Sequence, residues 1–401
     1  MLGDEERVLH DRNLDLANRG AGIGTHDALL EIMLRVGIAV DASIGIRPLS
    51  RTCFGLDGAV LHEITRPRIL SSWGRLYRAL KDALPDDRYH FDKSLVAIRQ
   101  DALTVTATFA DGTEELADLL VGADGIRSTV RALLMPEAEP RYAGYVAWRG
   151  TIDEATMPAE LHAAIFERNV MCIPDGEIMS AYPVPGPDND VRPGRRAYNL
   201  VWYHPVDAAT LASICTDASG HCHGTSIAPP LIRPEVLAEI RTVARRVLAP
   251  QCAWLVEVIP QLFFQAIYDL ESPRLAQGRA VLLGDAAFVA RPHVGMGVTK
   301  AALDAECLAD ALAQTDDLDA ALAKYDMAQR LVGSRVVARG RRIGAHLEAQ
   351  LSKPREMRTP DELHQDPQWV MRESARRLAE IPDLMEAVRA ARRSAVHVGP
   401  A

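Results

Sequence analysis

Residues 280–300, AVLLGDAAFVARPHVGMGVTK, constrain this chain more than any other stretch. An apolar run from Ala280 to Leu283 ends at Gly284-Asp285. A loop then carries Pro292 and His293, and Gly295, Met296, Gly297 and Val298 lead into an alanine-rich helical stretch. A short Val/Leu run bounded by turn residues suits an interior parallel strand, and an Asp at its carboxyl end stands where open α/β sheets bind ligands. Glycines just ahead of a helix let backbone N–H groups approach a phosphate or an electron-rich ring, and the helix dipole favours negative charge there. A bare Gly-Asp pair also fits a plain strand-to-helix crossover, so the rest of the chain has to decide.

With 401 residues, 48% of them hydrophobic, the chain has length for two domains or one interleaved unit around a substantial core. A globular enzyme is the default expectation. The formal net charge of −9 argues against a nucleic-acid partner. Cys53, Cys172, Cys215, Cys222, Cys252 and Cys307 are scattered, and the first residues hold no signal-peptide core, so reduced thiols in a cytoplasmic protein are expected. No stretch approaches the roughly 18 uninterrupted apolar residues of a membrane span, so no membrane partner is expected.

Residues 1–19 are mostly charged and polar and suggest no buried strand. Arg19, Gly20 and Gly22 belong to a glycine-rich turn before an amphipathic helix over 27–36; an Arg beside such a turn suits a phosphate as well as solvent. A hairpin is expected around Asp57-Gly58, and a helix over 74–84 is expected to follow Ser71-Ser72-Trp73. A meander follows, with strands over 95–98, 103–109 and 115–121. Its third strand delivers a second notable turn at Asp124-Gly125, before a short helix from Ser128. Three glycine turns beside helix starts are what a nucleotide along the edge of an α/β sheet would require.

Residues 134–270 change character. Pro-rich loops separate β-like runs over 144–151, 163–166, 170–173, 179–183, 196–204 and 262–268, with a helix over 234–247, which suggests a mixed sheet facing a substrate. His221-Cys222-His223 beside Cys215 does not match common zinc spacings and reads as a polar loop, so no metal is expected. Helices are expected over 301–312 and 322–351, the second bearing arginines 330, 335, 339, 341 and 342 on a salt-bridged face.

Together these stretches resemble the FAD-dependent aromatic hydroxylases of the para-hydroxybenzoate hydroxylase type, most closely the dihydroxypyridine and salicylate hydroxylase branch. The resemblance rests on the turn from Arg19 to Ile23, on LVGADGIRS from Leu120 to Ser128, and on YAGYVAWRG from Tyr142 to Gly150. It continues through YNLVWYHP from Tyr198 to Pro205 and Gly284-Asp285-Ala286-Ala287 through Pro292-His293 to Gly297.

The resemblance implies an α/β fold, a doubly wound FAD-binding domain interleaved with a mixed β-sheet substrate domain and followed by C-terminal helices. Residues 1–45, 71–133 and 271–345 would form the FAD-binding part, 46–70 and 134–270 the substrate domain, and 346–401 a helical extension. Members also carry a strand, a GxGxxG turn, a helix and a second strand ending in an acidic residue ahead of the Arg-Gly pair. Residues 1–18 contain Gly3 as their one glycine, so an N-terminally incomplete cofactor domain is expected.

In this reading Asp285 holds the ribityl or pyrophosphate region, and the backbone from Gly295 to Val298 faces the pyrophosphate and the flavin edge. Arg19, Gly20 and Gly22 contact the cofactor, and Asp124-Gly125 belongs to an FAD/NAD(P)H motif. Pro292 and His293 line the gap between flavin and substrate. NAD(P)H and O2 would serve hydroxylation of a small aromatic or N-heteroaromatic ring that already bears a hydroxyl. His293 is the first candidate for the base, because an unperturbed His titrates near neutrality; Tyr203 or His204 is the second. An alternative stays open on the sequence: a relative that has lost FAD binding and at most binds an aromatic ligand. A homodimer is compatible with either.

Overall fold

The computed structural model describes residues 8–11, 22–65, 68–363 and 366–394. The first third of the chain runs β1 (Leu9–His10), β2 (Gly22–Gly24), α1 (Asp27–Arg35), β3 (Ser50–Phe54), β4 (Val60–Ile64), β5 (Leu70–Ser72), α2 (Trp73–Lys81) and β6 (Tyr89–His90). It continues through a meander, β7 (Leu95–Gln100), β8 (Val105–Phe109) and β9 (Glu114–Ala117), to β10 (Leu120–Gly122) and α3 (Thr129–Leu134). The middle third holds β11 (Arg141–Asp153), α4 (Ala159–Ile165), β12 (Arg168–Cys172), β13 (Ile178–Val184), β14 (Ala197–Pro205), α5 (Ala208–Ile214), α6 (Pro234–Val247), α7 (Pro250–Val258) and β15 (Phe263–Glu271). The last holds β16 (Ala276–Gln277), β17 (Ala280–Leu282), β18 (Phe288–Val289), α8 (Gly297–Leu312), α9 (Leu318–Ile343), α10 (Ala345–Ser352), α11 (Pro360–Leu363), α12 (Pro367–Ala375) and α13 (Pro382–Ser394).

Strand alternation builds the large sheet. Eight strands lie in the order β18-β15-β11-β14-β13-β12-β3-β4. Because successive side chains point to opposite faces, Val146, Trp148, Leu200 and Trp202 pack with α4, α6 and α7, while Tyr145, Ala147, Val201 and Tyr203 pack on the other side with α10 and α12. The Asp57-Gly58 hairpin forms as expected, with Gly58 at a φ of +82°. Its first strand pairs in parallel with β12, which draws residues 50–64 into the sheet built from 141–271. A smaller sheet, β10-β17-β16, has β10 and β17 parallel, and β1 pairs in parallel with β6.

Several expectations need correction. Residues 163–166 are not β-like but close α4, where Leu161 and Ile165, one turn apart, are both buried in a segment of strong helix formers. The third meander strand is two strands, because the chain leaves β8 after Ala117 and pairs with β17 from Leu120. The long C-terminal helix breaks at Gly344, and α7 was not foreseen. The arginines of α9 are paired as expected, for example Arg330 with Asp326 at 3.0 Å and Arg341 with Asp269 at 2.7 Å. Among the described residues no helix is long and apolar enough to cross a membrane.

Candidate active site

Parallel pairing of β10 with β17 brings two glycine turns to one sheet edge, since Gly122 lies opposite Leu282 and the Leu283 N–H donates to Gly122 O at 2.9 Å. Arg131 ties the turns together. Its buried guanidinium donates to Ala286 O at 2.9 Å, to Ile126 O at 2.6 Å and to Ala138 O at 3.0 Å. The Asp124 carboxylate is engaged in starting α3, accepting from Ser128 Oγ at 2.5 Å and from the N–H groups of Thr129 and Val130 at 2.6 and 3.1 Å. Gly125 beside it has a φ of +76°, with open space where a Cβ would stand.

The Gly284-Asp285 turn is held from below by a buried ion pair that the sequence reading missed. Lys300 Nζ donates to Gly284 O at 2.9 Å and to Asp304 Oδ2 at 2.8 Å, and the same Oδ2 accepts the Gly284 N–H at 2.9 Å. A Lys and an Asp four residues apart on the buried face of an otherwise apolar helix is the signal that could have revealed it. Asp285 itself is solvent-accessible yet crowded by protein. That crowding raises its carboxyl pKa, with Lys300 opposing the shift and Asp304 adding to it.

No side chain caps the start of α8, and a Cβ on Gly297 would meet nothing within 4 Å. The first turn of α8 is therefore uncapped by side chains and open at Gly297, as an approaching anion would require. Gly295, at a φ of +63°, turns the chain into this helix. Its carbonyl lies 3.0 Å from Nε2 of His26, which is also 2.5 Å from Nη1 of Arg68. Burial, then Arg68, drives the His26 pKa down to about 3, so His26 is neutral and its Nε2 serves one of these partners at a time.

His293 lies on the sheet face shared by Tyr145 and Tyr203. Its Nε2 is 3.0 Å from the Tyr145 hydroxyl, the Tyr203 ring meets it edge-on at 5.5 Å, and Nδ1 has no partner among the described residues. The expectation that His293 titrates near neutrality is corrected here. Burial first, then Arg291 and His346, pushes its pKa well below the usual value, so the ring is neutral. Arg291 anchors the loop through Asp269 at 2.9 Å and Glu348 at 2.6 Å. Gly344 is required by close approach, since a Cβ there would lie 2.5 Å from His293 Nε2.

A family model described as FAD binding domain-like matches residues 142–269. The chain is 29% identical to 2,6-dihydroxypyridine 3-monooxygenase of Paenarthrobacter nicotinovorans over 335 residues, 83% of each protein. It is 31% identical to the FAD-dependent urate hydroxylase of Klebsiella pneumoniae over 286 residues, 70% of this chain and 64% of that one. The solved structure of 2,6-dihydroxypyridine-3-hydroxylase from Arthrobacter nicotinovorans matches with a TM-score of 0.79 at 28% identity, over 88% of each chain. By sequence and by fold the chain is similar to FAD-dependent aromatic hydroxylases.

The residues singled out from the sequence fall into three groups. Asp124, Gly125, Gly284, Asp285, Gly295, Met296, Gly297 and Val298 lie on the two glycine turns and the start of α8. Gly22 lies against the large sheet: its N–H donates to Asn199 Oδ1 at 3.3 Å, and its carbonyl accepts from the Tyr182 hydroxyl at 3.0 Å. Arg19 and Gly20 lie outside the described residues. Tyr203 joins His293, and Pro292 is exposed at the start of the same turn. His204 does not join them. Strand alternation turns it to the opposite face, beside Trp202 and 3.2 Å from Glu177. The uncapped α8 turn, the open space at Gly297 and the accessible Asp285 fit FAD, the cofactor of the family.

Proposed function

We propose that this chain is a flavin monooxygenase that hydroxylates a small, electron-rich aromatic or N-heteroaromatic ring already bearing a hydroxyl, with NAD(P)H as reductant and O2 as oxidant. The observation that carries this reading is the uncapped, open N-terminus of α8, which the short Pro292–Val294 turn joins to the buried His293–Tyr145–Tyr203 cluster. FAD, when bound, takes electrons from NAD(P)H and activates O2.

The chain's own residues bind and orient. Gly295, Met296, Gly297 and Val298 present N–H groups and the positive end of α8 to the pyrophosphate and flavin edge. Asp285 accepts from hydroxyls of the ribityl region. Asp124 fixes the turn that carries Gly125, and Gly22, with Arg19 and Gly20 ahead of it, contacts the cofactor. Neutral His293 accepts the proton of the ring hydroxyl at Nδ1 while Tyr145 holds Nε2; Tyr203 and Pro292 bound the ring.

The same reading assigns residues 46–70 and 134–270 to substrate and 1–45, 71–133 and 271–345 to cofactor, supported by the entry of β3 and β4 into the large sheet. A homodimer and a cytoplasmic location belong to it as well; the exposed edge residues Val60 and Leu61 support the first and six free cysteines the second. Purified protein mixed with FAD should carry flavin absorbance through gel filtration and oxidise NAD(P)H faster with hydroxyaromatics. A folded protein that stays colourless would leave only the aromatic-ligand binding reading. His293→Ala should slow hydroxylation far more than it weakens FAD binding, and unchanged turnover would remove His293 from the mechanism.

A further inference from the structure

Two buried thiols meet on the face of the large sheet that turns away from Tyr145 and Tyr203. Cys172 ends β12 and Cys252 stands in the first turn of α7; both are 0% exposed. α7 opens with Ala249, Pro250, Gln251 and Cys252, and no side chain of its own caps it. The N–H of Ala249, just ahead of the helix, donates instead to Cys172 Sγ at 3.3 Å, and the Cys252 thiol donates to the same sulfur. Cys53 stays out of this pair, because it lies opposite Met171 on β3 and packs on the other face of the sheet. Among the described residues no group of three possible ligands could hold a metal ion, so the pair stands as a dithiol.

Two donors on one sulfur favour its thiolate. The Cys252 hydrogen bond first, helped by the Ala249 N–H, outweighs burial and Glu177 and lowers the Cys172 pKa. The same hydrogen bond, and then burial, raises that of Cys252. The N-terminal end of α7 adds its positive dipole beside Cys172. One sulfur is thus the nucleophile, and the other, still protonated, is a resolving thiol in contact with it. Burial selects the oxidant. Only a small, uncharged reagent reaches these sulfurs, which admits hydrogen peroxide and excludes bulky disulfides.

We propose that Cys172 and Cys252 form a peroxide-sensitive dithiol, a modification site that closes to a disulfide between β12 and α7. The Cys172 thiolate attacks hydrogen peroxide; an S–O bond forms, the O–O bond breaks, and hydroxide leaves, to become water with the proton that Cys172 released on ionising. Cys252 then attacks the sulfenic sulfur; the S–S bond forms, the S–O bond breaks, and the Cys252 proton leaves with the oxygen as a second water. Two thiols are oxidised and one peroxide is reduced. The link fastens the start of α7, where Gln251 Nε2 donates to Gly58 O at 2.9 Å, to the strand beside β3. It needs no FAD, so it stands or falls apart from the monooxygenase reading.

The test uses the full chain carrying Cys222→Ser, which removes the exposed thiol. Reduced protein is treated with hydrogen peroxide, its remaining thiols are alkylated in denaturant, and its tryptic peptides are weighed. A peptide pair joined through Cys172 and Cys252, two hydrogens lighter than the sum, should form and be split by dithiothreitol. It should form about tenfold or more faster than Cys53 or Cys215 is oxidised. Added Cys252→Ala should leave on Cys172 a sulfenic acid that dimedone traps, whereas added Cys172→Ala should leave Cys252 a thiol. Linked protein should melt several degrees above reduced protein, because the link constrains the unfolded chain, and an unmoved midpoint would remove the fastening of α7. Thiols at 172 and 252 that stay alkylatable while Cys222 of the unmodified sequence is oxidised would overturn the site. So would linkage of another pair, or linkage as fast in urea-unfolded as in folded protein.

Discussion

His293, Lys300 and Asp304 show how much of this site depends on groups kept from water. Burial holds His293 neutral, so kcat/KM should show no ionisation assignable to it between about pH 6.5 and about pH 8. A midpoint in that range that vanishes in His293→Asn would contradict this. His26 and His293 both have folded pKa values below the unfolded value, so the stability they contribute is present above about pH 6.5 and is lost as the pH falls, when the unfolded chain takes up protons first. Glu154 acts in the same direction at lower pH. Burial pushes its carboxyl up, but Arg196 and His162 outweigh that and hold it at about 2. Stability of about 3 kcal/mol should drain away as the pH drops from about 4.5 towards 2, and Glu154→Gln should flatten that part of a urea-unfolding pH profile. Lys300→Met strands Asp304 and releases Gly284. It should cost about 3–5 kcal/mol by urea unfolding.

Between elements, the joint of α9 and α10 places Gly344 against His293. Gly344→Ala should push the His293 ring aside, costing about 1–3 kcal/mol in stability and lowering turnover more than FAD affinity, as unfolding and flavin titration would report. This joint also shows where sequence reading stops. The strands of residues 141–271 are legible because period-two alternation records their two buried faces in local order. The glycine turns are legible because a strand end and a helix start must lie beside them. The break at Gly344 is not, because the atom that demands it belongs to residue 293. The pairing of Cys172 with Cys252 is opaque for the same reason: the two belong to elements far apart in the chain, and a lone Cys in an apolar strand reads as core. His204 was misplaced within a strand that was itself correctly expected, because alternation separates neighbours that a motif places side by side.

For the molecule as a whole, the fold keeps the glycine turns of residues 122–125 and 284–285 on a small sheet and Tyr145 and Tyr203 on a large one, with α8 and α9 packed on the first and α10 and α12 on the second. A ligand that engages only the folded arrangement stabilises all of it. FAD at a hundredfold excess over its Kd should add about 2.7 kcal/mol and raise the melting midpoint in a concentration-dependent way, and a midpoint indifferent to FAD would count against binding. The parallel pairing of β3 with β12 carries a further consequence, for synthesis. Ser50 must wait for Arg168, roughly 120 residues later, which at about 5–20 residues per second is on the order of ten seconds after β3 leaves the ribosome. During that interval Cys53, Phe54, Val60 and Leu61 form a hairpin without its neighbour, one that a nascent-chain chaperone would be expected to shield until the second half of the sheet arrives.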